Sequence, residues 1–242
     1  MLEMFSATQF WVDVFKIIVI DLLLSGDNAV VIALACRNLP QEQRKKGILF
    51  GVGGAIGLRM VLTFFAVSLF ALPYLKLIGA LLLLWIGIKL ILPEEEHNAG
   101  NIKADTRLLG AVKTIIVADF VMSLDNVLGV AAAAKGNKLL LVFGLLISIP
   151  LIAWSSQLVL KLIDRFTLII YAGGALLGYV AGEMLVSEAL LATVVETRHY
   201  LHWLIPASGA LMVLVLGKWL AMRKAVSVAA FDLVEEKVDN KS

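Results

Sequence analysis

Long apolar segments follow one another along the chain, separated by short polar connectors. They cover approximately residues 10–35, 48–72, 74–92, 111–134, 139–160, 167–188 and 203–222. An α-helix needs roughly 20 mostly apolar residues to cross about 30 Å of hydrocarbon, and each segment approaches that length. The pattern therefore predicts seven transmembrane helices. The longest polar connector, Pro93 to Arg107, separates the first three segments from the last four.

Composition supports the same class of protein. Of the 242 residues, 60% are hydrophobic and 17% are charged, whereas soluble domains have about 45–50% and about 25%. The net charge of +2 and the lack of a Lys/Arg-rich run argue against a nucleic-acid partner. A single cysteine, Cys36, excludes an internal disulfide framework. The sequence predicts an all-α membrane protein, with residues 1–222 as one transmembrane domain and 223–242 as a polar cytoplasmic tail.

The distribution of basic residues predicts the orientation in the bilayer. Lys and Arg near the ends of spans stay on the cytoplasmic side. With the N-terminus outside, thirteen of them lie near the inner ends of the spans and five near the outer ends. We therefore expect a multi-pass protein of a bacterial inner (plasma) membrane, with its N-terminus outside and its C-terminus inside.

An eight-residue signature, D-x-x-x-S-x-D-N, occurs in the first segment and again in the fourth, 98 residues later. Its two copies contain Asp21, Ser25, Asp27 and Asn28, and Asp119, Ser123, Asp125 and Asn126. Phe50-Gly51 and Phe143-Gly144 match at a similar offset. Each repeat (about 10–92 and about 111–188) then has three spans. An odd number inverts the second copy, so we predict two inverted three-helix repeats plus an extra helix at about 203–222, an arrangement typical of transporters.

The signature places four carboxylates at membrane depth. Each costs about 2.5–3.5 kcal/mol there even on the mildest scale, so a cation, a proton or a basic partner must neutralise them. Carboxylate, amide and hydroxyl oxygens suit hard divalent cations such as Mn²⁺, Mg²⁺ or Ca²⁺. None of the predicted spans contains a histidine, which disfavours Zn²⁺ and Cu⁺.

Helical spacing ranks the candidate ligands. At about 100° per residue, Asp21, Ser25 and Asn28 share one face, and Asp27 lies about 120° from Asp21. A straight helix cannot aim both aspartates at one ion, so we predict a kink or break at Ser25-Gly26. The second copy has Leu124 in place of Gly26, so either the two halves bend differently or only one aspartate of each pair binds the ion. We expect Asp27, Asn28, Asp125 and Asn126 to be the primary ligands, with Asp21 and Asp119 completing the site or carrying protons.

Two other charged residues within the spans are candidates for a supporting role, beside Ser25 and Ser123. Arg59 lies near the centre of span two, where the second repeat has Ile152. It is either a counter-charge to one aspartate or a structural tie to a backbone carbonyl. Glu183, in span six, either lines an outer vestibule, serves as a further carboxylate of the site, or reaches towards the membrane surface.

The S-x-D-N signature in spans one and four resembles the TerC family of bacterial membrane proteins, in its compact seven-span form. The likeness covers roughly residues 10–222, and TerC proteins are grouped with the lysine exporter superfamily. The resemblance implies manganese handling, chiefly efflux, with Asp27, Asn28, Asp125 and Asn126 matching the acidic motifs of the family. Some relatives are linked to the metallation of secreted enzymes, and plant relatives to the assembly of thylakoid membranes.

Three functions are compared on the basis of the signature residues and the family resemblance. The favoured one is a secondary transporter that exports Mn²⁺ or a similar ion, with proton exchange at the aspartates as the simplest coupling. The second is a metal-loading or membrane-assembly factor that works with secretion machinery. The third, an intramembrane aspartyl protease, is weak because the paired asparagines and the repeat have no role in that chemistry. We therefore expect no enzyme activity, and homo-oligomerisation stays open.

Overall fold

The computed structural model describes residues 8–70, 74–93, 104–133, 137–188, 194–195 and 197–239. Within these ranges the secondary structure is helical and contains no β-strand. The helices are α1 (Thr8–Leu24), α2 (Gly26–Cys36), α3 (Gln41–Phe70), α4 (Leu75–Ile91), α5 (Ala104–Ala133), α6 (Lys138–Arg165), α7 (Leu168–Val186) and α8 (Leu201–Asp239). Each of the seven predicted segments coincides with a helix, or with the pair α1 and α2, which confirms the all-α prediction.

Fewer helices meet the requirements of a membrane span by length and composition. Four of those described do so: Gln41–Phe65, Leu139–Arg165, Leu168–Val186 and Leu201–Lys224. The bent pair α1 and α2 adds a fifth if it counts as one span. Helix α4 has 17 residues, a length of about 25 Å at 1.5 Å per residue. The protein is thus a multi-span helical membrane protein, and the seven crossings and the N-out orientation remain predictions.

The first signature interrupts its helix. Ser25 has φ −114° and ψ 8°, outside the helical range, and separates α1 from α2. The chain bends by 55° between the segments Phe10–Asp21 and Gly26–Cys36. Gly26 is exposed and a Cβ there would meet no described neighbour within 4 Å, so close packing does not require a glycine at this position. Helix α5 runs unbroken through the second signature, where Leu124 replaces the glycine, so the two halves bend differently, which is the first of the two alternatives.

The helices with the two signatures run in opposite directions. Near the start of α1, the ring of Phe10 contacts Phe143 near the start of α6, at 6.2 Å between centroids. At the other end, Gly47 in α3 lies against Cys36, the last residue of α2, and against Leu108 near the start of α5. Because α5 starts beside the point where α2 ends, the two signatures lie on antiparallel helices. An inverted repeat requires this arrangement.

Equivalent residues of the two repeats also make equivalent contacts. Gly51 of α3 packs against Ile115 of α5, and Gly144 of α6 packs against Ile17 of α1. The two glycines belong to the matching pairs Phe50-Gly51 and Phe143-Gly144, and the two isoleucines are 98 residues apart, as the signatures are. In both cases an isoleucine of one repeat packs against a glycine of the other repeat, and the two contacts involve equivalent positions.

Basic side chains gather at the end of the bundle where α2, α4 and α8 meet. There a cavity of about 510 Å³ is lined by Arg37, Lys89, Arg107 and Lys224, among others. All four are residues that the charge pattern assigns to the cytoplasmic side. At the opposite end, the buried Glu188 accepts a hydrogen bond from the backbone N–H of Leu77, in the first turn of α4 (3.2 Å).

The last helix packs on α7 through close backbone contact. A Cβ added to Gly178 would collide with the carbonyl group of Gly209, and one added to Gly182 would lie 2.8 Å from the carbonyl oxygen of Ile205. Small residues at such crossings let membrane helices approach closely. Beyond Arg223, helix α8 continues to Asp239, so the segment predicted as a polar tail has helical backbone through most of its length.

Candidate functional site

A cluster of polar side chains lies buried among α1, α2, α3 and α5. Every member is at most 6% exposed. They are Asp21, Ser25, Asn28, Arg59, Asp119 and Ser123. Five of the six belong to the two signatures, so the fold brings the two copies together, as the repeat predicts.

Arg59 joins the two copies. Its Nη1 donates to Oδ1 of Asp21, and its Nη2 donates to Oδ1 of Asp119. Both contacts are ion pairs between fully buried or nearly fully buried side chains. All three guanidinium nitrogens are used, because Nε donates to Ser123 Oγ at 2.9 Å and Nη1 also reaches Ser25 Oγ at 2.5 Å. One guanidinium thus contacts an aspartate and a serine from each copy.

A direct hydrogen bond also connects the copies. Asn28 Nδ2 donates to Asp119 Oδ1 at 2.8 Å. With its bonds from Arg59 and from Ser123 Oγ (3.1 Å), Asp119 is held by three side chains on three helices. Two buried oxygens of this cluster nevertheless have no hydrogen-bond partner among the described residues, Oδ2 of Asp21 and Oδ1 of Asn28. Buried oxygens without a donor are costly unless a cation or proton approaches them.

Local sequence explains why these side chains converge. Serine follows aspartate by four residues in each copy, which places both on one helix face. Ser25 Oγ donates to Asp21 Oδ1 at 3.4 Å, and Ser123 makes the corresponding bond to Asp119. The face predicted for Asp21, Ser25 and Asn28 is the buried one. The spacing of the signature explains why these residues share one face, and the packing of the helices buries that face.

The other predicted ligands are less buried than this cluster, or have side chains outside the described residues. Asp27 is half-buried, and its Oδ1 accepts the backbone N–H of Asn28 at 2.9 Å. The side chain of Asp125 lies outside the described residues. Asn126 is half-buried on α5, and Glu183 is exposed on α7. The two aspartates that Arg59 connects are therefore Asp21 and Asp119, which helical spacing had ranked below Asp27 and Asp125.

The structure distinguishes the two interpretations of Arg59. Its guanidinium pairs with both aspartates, so it is a counter-charge, and it serves both copies rather than one. The repeat-equivalent position, Ile152, is a buried apolar residue on α6. Removing one partner from a buried ion pair costs about 3–5 kcal/mol because the remaining charge is left uncompensated. With both carboxyl groups ionised, the two aspartates and the one guanidinium give the cluster a net charge of −1.

In the conformation described, the cluster brings together only a small number of side chains that could ligate a metal ion. Among the described residues, no group of three or more His, Cys, Asp or Glu side chains is placed to hold a metal ion. The donors present are nevertheless all oxygens, apart from the Asn28 amide nitrogen and the guanidinium, and such a set suits a hard cation. What the cluster supplies is two carboxylates that both turn towards one positive charge.

The fold and the site together define a class: a helical, multi-span membrane protein with a buried charged centre between the antiparallel helices that carry the two signatures. The model of the Integral membrane protein TerC family matches residues 6–225. The chain belongs to the TerC family, which confirms the resemblance seen in the signature.

Curated relatives agree with this membership. The chain is 40% identical over 198 residues to the Uncharacterized membrane protein YjbE of Bacillus subtilis, covering 82% of this chain and 90% of the relative. It is 29% identical over 182 residues to the Uncharacterized membrane protein YceF of the same organism, covering 72% and 70%. The UPF0053 inner membrane protein YgdQ of Escherichia coli is 22% identical over 171 residues, covering 64% and 72%. No solved structure matches the chain.

Proposed function

We propose that this protein is a secondary transporter that exports a hard divalent cation, Mn²⁺ before Ca²⁺ or Mg²⁺, from the cytoplasm of a bacterium. The observation that carries the proposal is the pair Asp21 and Asp119. These buried carboxylates come from the two copies of one signature, and both bind the same positive group, Arg59. A centre of this kind between inverted repeats is where membrane transporters bind their ions.

The neighbouring oxygens support a cation as the cargo. Oδ2 of Asp21 and Oδ1 of Asn28 are buried acceptors for which the described part of the chain offers no donor. Asp27 adds a half-buried carboxylate at the start of α2, next to the helix break. Discontinuous helices place free backbone groups and side chains around transported ions. In this proposal Asp27, Asn28, Asp125 and Asn126 join Asp21 and Asp119 around the ion as it passes.

Mn²⁺ is placed first because the TerC resemblance implies it and because oxygen donors bind it well. Selectivity against Ca²⁺ and Mg²⁺ depends on cavity size and on the number of ligands. Proton exchange at surplus carboxylates is the simplest coupling, since membrane carboxylates commonly serve in proton relays. The protein performs no covalent chemistry in this proposal.

Flux into liposomes tests the proposal. Purified full-length protein in sealed liposomes is expected to move radiolabelled Mn²⁺ down an imposed concentration gradient well above protein-free liposomes, with Zn²⁺ competing poorly. An imposed pH gradient is expected to change the rate if protons are exchanged; an unchanged rate would remove the proton coupling but not the transport. A protein that binds Mn²⁺ but never moves it would instead favour a metal-loading or assembly factor acting with secretion machinery.

A further inference from the structure

Arg59 occupies the position between the two carboxylates that a transported cation would itself seek. We propose that Arg59 is a tethered counter-cation that exchanges with the transported ion. Its guanidinium binds Asp21 and Asp119 when the ion has left, and it withdraws when an ion binds. This inference rests on the proposed function and concerns the step by which the carrier returns without its cargo.

The contacts of Arg59 show why ion and guanidinium compete. Nη1 and Nη2 approach Oδ1 of Asp21 and Oδ1 of Asp119, one from each signature. A divalent ion bound to the same oxygens would lie about 2.0–2.6 Å from them. Two cations so close together repel strongly in a buried site of low dielectric constant. One of the two must therefore move away.

The charge of the cluster shows why a carrier needs such a group. Without the guanidinium, Asp21 and Asp119 would be two unpaired carboxylates, at most 6% exposed. Burying them together without a cation is strongly unfavourable. A carrier of that kind would return only with a new ion bound or with both carboxylates protonated. Arg59 supplies one positive charge between the two carboxylates, so the repeats can change their relative position after the ion has gone.

The asymmetry of the repeats fits this role. Gly51 has an equivalent in the second repeat, Gly144, but the position equivalent to Arg59 is Ile152, so the protein has one such arginine for its two signatures. A single guanidinium has two matching terminal nitrogens, and here each serves one copy of the signature. Arg59 also lies on α3, whereas its two carboxylate partners lie on α1 and α5. In this proposal the long, flexible side chain of Arg59 leaves the site by rotation about its own bonds as the packing around it changes.

Two modes of transport in liposomes separate this step from ion binding. Net flux requires the ion-free carrier to return, whereas exchange of labelled for unlabelled Mn²⁺ needs only the ion-bound carrier. For Arg59→Gln we expect net flux to fall at least about tenfold while exchange stays within about threefold of wild type. Arg59→Lys keeps the charge and is expected to retain more net flux than Arg59→Gln. Arg165→Gln, an exposed arginine at the end of α6, is the matched control and should change neither mode.

Thermal melting in Mn²⁺ gives a second test that does not depend on transport. In Arg59→Gln the ion replaces the missing guanidinium, so millimolar Mn²⁺ should raise the melting temperature more than it does in wild type. Choline at the same ionic strength is the control for screening. An Arg59→Gln protein that stays unfolded in Mn²⁺ would overturn the inference, as would equal loss of net flux and exchange, or net flux at the wild-type rate. If the wild type itself moved no divalent cation in either mode, the proposed function would be the part that failed.

Discussion

Asp119→Asn should lower net Mn²⁺ flux at least about 100-fold, which corresponds to about 2.8 kcal/mol of lost stabilisation of the ion in transit. Asp119 is the most heavily bonded acceptor of the buried cluster, since Asn28, Arg59 and Ser123 all donate to it. Asparagine has nearly the same shape but no charge, so the ion loses a charged ligand while packing is retained. Arg59 also loses one of its two carboxylate partners.

The control for Asp119→Asn is Asp164→Asn. Asp164 also forms an ion pair with an arginine, Arg44, at 2.7 Å, but its side chain is 48% exposed. Exposed pairs contribute about 0–1 kcal/mol, so flux through this variant should stay close to wild type. Flux is measured in liposomes at equal protein incorporation. Similar flux in the two variants would show that the buried carboxylate has no special part in transport.

Gly178→Val should remove most of the folded protein. The Cβ of valine would collide with the carbonyl group of Gly209 in α8, and backbone cannot rotate away as a flexible side chain can. The two helices must then separate, with a cost above the roughly 1–3 kcal/mol typical of overpacking. We expect a lower melting temperature and a smaller monodisperse peak in size-exclusion chromatography.

Gly53→Val is the matched control for Gly178→Val. Gly53 also lies within a long helix, but an added Cβ there meets no described atom within 4 Å. Replacing a helical glycine without a clash is neutral or mildly stabilising, because glycine is a poor helix former. Its melting temperature should equal that of the wild type or exceed it slightly. Equal losses in the two variants would mean that the contact between α7 and α8 is not a close backbone contact.

Much of the fold could be read from the sequence because its signals are local or repeated. The apolar segments predicted the helices, and Ser25-Gly26 predicted the break between α1 and α2. The 98-residue offset predicted that the two signatures meet, as the bond from Asn28 to Asp119 shows. The contact between α7 and α8 could not be predicted, because nothing in the sequence indicates that Gly178 packs against Gly209 rather than against a residue of another helix.

The site was predicted less completely, and the reason is geometric. Helical spacing placed Asp21, Ser25 and Asn28 on one face and Asp27 on another, yet it could not say which face is buried. The structure buries the first face, so Asp21 rather than Asp27 pairs with Arg59. The partner of Arg59 was equally open, because its distance from Asp21 and Asp119 depends on how α3 packs against α1 and α5. Both answers come from the packing of these helices, which local spacing does not encode.

The central claim is that both signatures build one ion site. Equilibrium binding of radiolabelled Mn²⁺ to the purified protein tests it most directly by counting ions per chain. Our account predicts one ion per chain in wild type, with binding weakened by Asp21→Asn and by Asp119→Asn alike. Two ions per chain, of which each substitution removes only one, would contradict it and show that each signature binds its own ion.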